Sequence, residues 1–288
     1  NVSTTPLESI TVDGSCKDPY AYNTKADTFV VEENSTAWVA QIGSQKYATL
    51  QGAMEAAGTM SASVTMEIIG TVDIHELLNS NKTMNAFDLS GSSLTGLTIR
   101  GADKHAQIVS GVDGNGIDGP TYCPILSVKL PANAPLTLEN LTFPNDLGFD
   151  SPNGTVLVQN CVFTGSISGY PQDRKISYLN NIFEFKGTGN FYSNNAYAVW
   201  YKEDNALDFV FTGNTVMGPR GAHSETRGST DNPAQENIQG DNNHFQLSDS
   251  RYHNKAIALQ LVNHLNEVVS FSDNDVDAHT GICLLYDV

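Results

Sequence analysis

Six segments of this chain carry one short pattern, beginning at Leu97, Leu136, Val156, Ile176, Phe209 and Val269. They read LTIRGAD, LTLENLTF, VLVQNCVF, ISYLNNIF, FVFTGNTV and VSFSDNDV. Each runs apolar, any, apolar, any, then a turn residue or Asn, then a second short apolar strand. A longer ungapped match pairs AYAVWYKEDNALDFVFTGN (196–214) with AIALQLVNHLNEVVSFSDN (256–274), offset by 60 residues. Alternation with period two buries one face of each strand. A strand this short cannot bury that face alone, and stacking on the next copy is the available solution. The pattern therefore predicts an all-β solenoid.

The corners carry the second signal. Asn140, Asn160, Asn180, Asn214 and Asn274 sit at or next to the turn between the two short strands. Asn tolerates the left-handed backbone of a sharp bend, and stacked Asn side chains can hydrogen-bond as a ladder. The segment starts are 39, 20, 20, 33 and 60 residues apart. Twenty residues suit one turn of three short strands. The interval of 60 reads as two turns, with the missing corner at Asn242 or Asn243 in ENIQGDNNHF (236–245). Longer intervals imply loops inserted at corners, on the outside.

These strand–Asn–strand copies, LTLENLTF, VLVQNCVF and FVFTGNTV above all, resemble the pectate-lyase-like right-handed parallel β-helix superfamily. The ending GICLLYDV also resembles its rungs. The segment AWVAQIGSQKYATLQGAMEAAG (37–58) is similar to the strand and short helix that open many β-helix modules of bacterial surface proteins. The resemblance implies a right-handed parallel β-helix with an N-terminal capping helix. It leaves function open between polysaccharide lyases, glycoside hydrolases, esterases, tailspikes and adhesins. Physics supports the helix: Tyr47, Leu50, Ala53, Met54 and Ala57 form one apolar stripe over residues 47–58. Such a helix would cover the exposed edge of the first coil. The expected division is a polar leader at 1–36 wrapping the cap, the cap at 37–63 and the coils at 64–288. With no polar terminal cap apparent after the last rung, the natural chain is expected to continue past Val288.

Composition narrows the partners. Net charge is −17 and the pI about 4.5, with 16% charged residues. Nucleic acid and unshielded polyanions are repelled. No run approaches the roughly 20 apolar residues of a membrane helix, so the chain is expected not to be membrane-embedded. A secreted or cell-surface monomer is the expectation. Cys16, Cys123, Cys161 and Cys283 lack zinc spacing and read as buried free thiols, with at least one disulfide as the alternative and Cys283 facing inward. Sequons occur at Asn1, Asn34, Asn81, Asn140 and Asn153.

Three constellations can carry chemistry. In the excursion 217–235, Arg220, His223, Glu225 and Arg227 crowd together in a chain with only 15 basic residues. Trp200, Tyr201 and Lys202 precede them by one coil, and Arg251 and His253 follow. At a coil spacing of about 4.8 Å these groups form one aromatic and basic patch for a glycan or host-surface ligand. Arg220 and Arg227 are expected to be exposed on a loop. The second constellation is SDNDVDAH (272–279), where Asp275, Asp277 and His279 share an outer face about 6.6 Å apart by strand rise. Asp275 and Asp277 are candidate Ca²⁺ ligands, and Asp273, Asp275 and Asp277 candidate catalytic carboxylates. The third is Asp113, Asn115 and Asp118, spaced like the start of a Ca²⁺ loop but lacking its later Glu. Two classes of function stay open: a noncatalytic glycan-binding or adhesin-like module, and a carbohydrate-active enzyme of the lyase or glycoside hydrolase type.

Overall fold

The computed structural model describes residues 10–11, 28–29, 38–77, 87–111, 125–151, 154–169, 175–184, 197–203, 208–226, 237–248, 256–262 and 268–285. The chain divides into two compact units, Asn1–Ala37 and Trp38–Val288. In the first, Ile10–Thr11 pairs antiparallel with Thr28–Phe29. The second is strand-dominated and built on long, mainly parallel sheets.

The second unit repeats one order. A strand of a ten-stranded sheet is followed by one of an eight-stranded sheet, then by a third-position strand, and the order begins again. Third-position strands form a three-stranded and a five-stranded sheet. All six segment starts fall in one column of the ten-stranded sheet: Leu97, Leu136, Val156, Ile176, Phe209 and Val269 stack in register. Ile238 fills the place between Phe209 and Val269. The offset of 60 is therefore two steps, with Val199, Ala222 and Leu259 showing the same in the five-stranded sheet.

Two columns of residues make the corners. The first has left-handed backbone: Asn140, Asn160, Asn180, Asn242 and Asp273 have φ between 53° and 57°, and Gly213 has φ 69°. Gly213 must lack a side chain, because a Cβ would lie 2.3 Å from Asn180 Oδ1. The second column follows by one residue and carries the ladder. The backbone N–H groups of Cys161, Asn181, Asn214 and Asn243 donate to Oδ1 of Asn181, Asn214, Asn243 and Asn274 respectively, at 2.8–2.9 Å. The Nδ2 groups of Asn181, Asn214, Asn243 and Asn274 donate to the carbonyls of Val158, Tyr178, Phe211 and Gly240. Asn140, Asn160 and Asn180 thus shape the bend, and their exposed side chains are not the ladder. Cys161 continues the ladder column with sulfur, its Sγ 3.8 Å from the Leu138 carbonyl. Burial pushes its thiol up to about 12, only partly opposed by backbone hydrogen bonds. Cys161 is a free buried thiol, as expected.

Apolar columns fill the space between the sheets. Leu136, Val156, Ile176 and Phe209 are fully buried, as are Leu138, Val158 and Tyr178. Phe143, Phe163 and Phe183 stack with centroids 4.9 and 4.8 Å apart, the spacing of the strands that carry them. One end of the ten-stranded sheet changes sense: Ala40–Ile42 pairs antiparallel with both Ser63–Ile68 and Gln45–Tyr47. The helix runs Leu50–Gly58 rather than from 47. Tyr47 closes a strand, and Thr49 caps the helix by accepting from Gly52 N–H. Leu50, Ala53, Met54 and Ala57 are its buried stripe.

Asp241 sits inside a corner, accepting from Ser270 Oγ and from Ser272 N–H at 2.8 Å. Burial pushes its carboxyl up, but hydrogen bonds from Ser272, Ser270 and Gln239 outweigh that and hold it below its ordinary value of 3.8. A depressed folded-state value stabilises the fold above the ordinary value, and this stabilisation is lost as pH falls through the folded one. Wild type should therefore lose more melting temperature between pH 5 and pH 2 than Asp241→Asn, which has no proton to take up there. Parallel losses in a pH series of melts would remove Asp241 from acid sensitivity.

The two corner columns give a second test. Asn214→Ala removes the acceptor of the buried Asn181 N–H and the donor to Tyr178 O, a cost of about 3 kcal/mol. Asn160→Ala forces Ala into left-handed backbone at about 1 kcal/mol, and Asn160→Gly should be close to neutral. Denaturant midpoints check the order; equal losses at the two Asn→Ala sites would contradict it.

Candidate functional site

The segment RGAHSET is a strand, not a loop: Arg220–Thr226 lies in the five-stranded sheet between Tyr197–Glu203 and Ile257–Val262. Backbone pairing on both edges overrode its lack of apolar alternation. Gly221 permits the approach, since a Cβ there would lie 2.0 Å from the Ala258 carbonyl. Successive strand residues face opposite sides, and this separates the expected patch. Tyr201 turns into the core, where its hydroxyl bonds that of Tyr178. Trp200 faces the other way, in one register column with His223, Gln260 and Cys283. Cys283 is thus outside the core column that runs through Val199, Ala222, Leu259 and Ile282.

Around Trp200 the side chains interlock. Its indole is half-buried and lies parallel to the His223 ring, 5.4 Å between centroids and 9° between planes. Tyr197 tilts against the other side of the group, 5.0 Å from His223. Arg220 Cζ stands 5.1 Å from the Tyr197 ring centre, and its NH1 donates to the Tyr197 hydroxyl at 2.9 Å. That hydroxyl donates in turn to Gln260 Oε1. His223 Nε2 lies 3.6 Å from Glu225 Oε2. The result is an aromatic plane held from behind by a charged network.

Arg220 does not meet its expectation of exposure: it is 2% exposed, and His223 is 5% exposed. Both pack against the Tyr197 ring. Lys202 is in the strand beside Glu225, and its side chain is outside the description. Arg227, Arg251 and His253 fall outside the described residues, as do Asp113, Asn115, Asp118, Cys16 and Cys123. Tyr197 and Gln260 were not singled out in the sequence. The 60-residue match had already aligned Trp200 with Gln260, so the outward column was available to be read.

The acidic strand stands elsewhere, in the eight-stranded sheet. Asp273 has the left-handed backbone of a corner residue, just before Asp275–Asp277. Asp275 and Asp277 are exposed on either side of Val276, and Asp275 Oδ2 lies 2.9 Å from His244 Nδ1. Among the described residues no three His, Cys, Asp or Glu side chains gather as a metal site. No helix of the described residues is long and apolar enough to cross a membrane.

The burial of Arg220 sets a test. Arg220→Ala should destabilise by about 2–3 kcal/mol, through the lost charged hydrogen bond to Tyr197 and lost packing. A melt within a degree of wild type would mean that the network does not hold the platform.

Neither a protein-family model, nor a curated protein, nor a solved structure matches this chain.

Proposed function

We propose that the sheets of the second unit are the faces of a right-handed parallel β-helix of the pectate-lyase-like kind. On that scaffold the chain acts as a secreted or cell-surface module that binds glycan without covalent chemistry. The strict recurrence of sheet order and the Asn ladder support the fold reading. The observation that carries the functional reading is the half-buried Trp200 indole, stacked on His223 beside the linked Arg220, Tyr197 and Gln260.

A sugar ring offers an apolar C–H face that stacks on a flat indole, while its hydroxyls need polar partners at the rim. Glu225 stands next to His223 at 3.6 Å. Rigidity matters because a preformed platform loses little conformational freedom when it binds. The charge of −17 favours a neutral oligosaccharide over a polyanion.

A glycan array followed by titration of the strongest neutral hit tests this. Trp200→Ala should weaken binding roughly ten-fold or more, equivalent to about 1.4 kcal/mol of stacking, while Trp200→Phe keeps part of it. Unchanged affinity in Trp200→Ala, with its melt intact, would overturn the platform reading. Release of shortened products from any bound polysaccharide would overturn the noncatalytic one.

A further inference from the structure

The outward column of the five-stranded sheet runs Trp200, His223, Gln260 in register. Gln260 carries a carboxamide, which can turn either its oxygen or its NH2 group towards a neighbour. Here a chain of donors sets its orientation. A guanidinium only donates, so the Tyr197 oxygen accepts from Arg220 NH1. The Tyr197 proton then goes to Gln260 Oε1. With Oε1 committed, the two N–H bonds of Nε2 are directed away from Tyr197. Gln260 is only 9% exposed, yet Nε2 bonds to no group among the described residues and is not sealed from solvent. The small part of Gln260 that reaches the surface thus includes a donor pair whose direction is fixed from within.

The fold uses the Oε1 contact and makes no demand on Nε2. Arg220 and His223 are 2% and 5% exposed, so neither offers a comparable donor at the surface. Trp200 and Gln260 stand two strands apart with His223 between them, a distance of about 9.6 Å along the column. One pyranose ring is too short to lie on the indole and also reach that far. Linked rings can do both.

We propose that Gln260 is the specificity-determining residue of the Trp200 platform, donating from Nε2 to a hydroxyl or carbonyl oxygen of a neutral glycan longer than one sugar. On the glycan-binding reading, which this contact presupposes, the ligand thereby gains a minimum length and one polar partner. A pre-oriented donor at a dry site discriminates strongly, because a ligand without the matching acceptor leaves it dehydrated and unpaired. Pre-orientation also spares the side-chain freedom that a loose surface Gln would lose on binding.

The test uses the whole chain and an array of glucose, galactose, mannose, xylose and N-acetylglucosamine, each as the monosaccharide and as its linear oligomers. Wild type should bind at least one oligomer roughly ten-fold more tightly than its monosaccharide, the worth of one added hydrogen bond. Gln260→Glu keeps an acceptor for the Tyr197 hydroxyl but puts an oxygen that cannot donate in the place of Nε2. It should weaken binding of that oligomer roughly ten-fold and leave the monosaccharide unchanged, with the melt close to wild type. Where Gln260→Glu fails to fold, Gln260→Met, which keeps the length and removes both polar atoms, takes its place. Equal affinity of wild type for monosaccharide and oligomer would overturn the proposal. So would full oligomer binding by the Gln260 variant beside its loss in Trp200→Ala, an outcome that leaves the platform standing. An equal loss for monosaccharide and oligomer would make Gln260 a mere support of the indole and overturn it too. Binding to no member of the array would overturn both this contact and the glycan reading.

Discussion

One repeated interaction holds the corners: a buried carboxamide that accepts from the rung before it and donates to that rung's carbonyl. A sharp bend strips backbone groups of their sheet partners, and a buried group left unpaired costs about 1–3 kcal/mol. Asn can repair both deficits at once, since it carries an acceptor and two donors. Asn181, Asn214 and Asn243 are 1–2% exposed, so water cannot do the same work. With the corners fixed, the strands on either side fall into register and the apolar columns follow.

The parts of this fold legible in the sequence are those set by local chemistry. Period-two alternation located six of the segment starts but not Val64 or Ile238 of the same column, and the left-handed bend announced itself at Asn140, Asn160 and Asn180. The ladder was read one residue early at those copies, because LNNIF and its relatives offer adjacent candidates and only burial tells them apart. The helix boundary was missed for a similar reason: Tyr47 fits a helical stripe, but pairing with Ala40 claims it for a strand. RGAHSET reads as a loop because its polar residues hide a strand that long-range pairing enforces.

The candidate site shows the same division. Composition drew attention to Arg220, His223 and Glu225 beside Trp200, and the strands do bring these together. Alternation already implies that Trp200 and Tyr201 face opposite sides, and Tyr201 is the one in the core. Sequence could not show that Arg220 is buried against Tyr197, since that depends on a column of three strands. What looked like a loose basic patch is an aromatic plane with a charged support.

The left-handed corner residues lie 20, 20, 33, 29 and 31 residues apart from Asn140 to Asp273, yet each interval advances the sheets by one strand. Distance along the chain and distance along the stack are thus decoupled. Length variation can accumulate between the corners without moving any strand relative to its sheet neighbours. A single insertion inside a strand–corner–strand segment has the opposite effect, because it would push every later side chain of that strand onto the other face. Such a chain should tolerate insertions and deletions in the intervals and resist them within the corners, so that new binding surfaces can arise while the scaffold stays in frame.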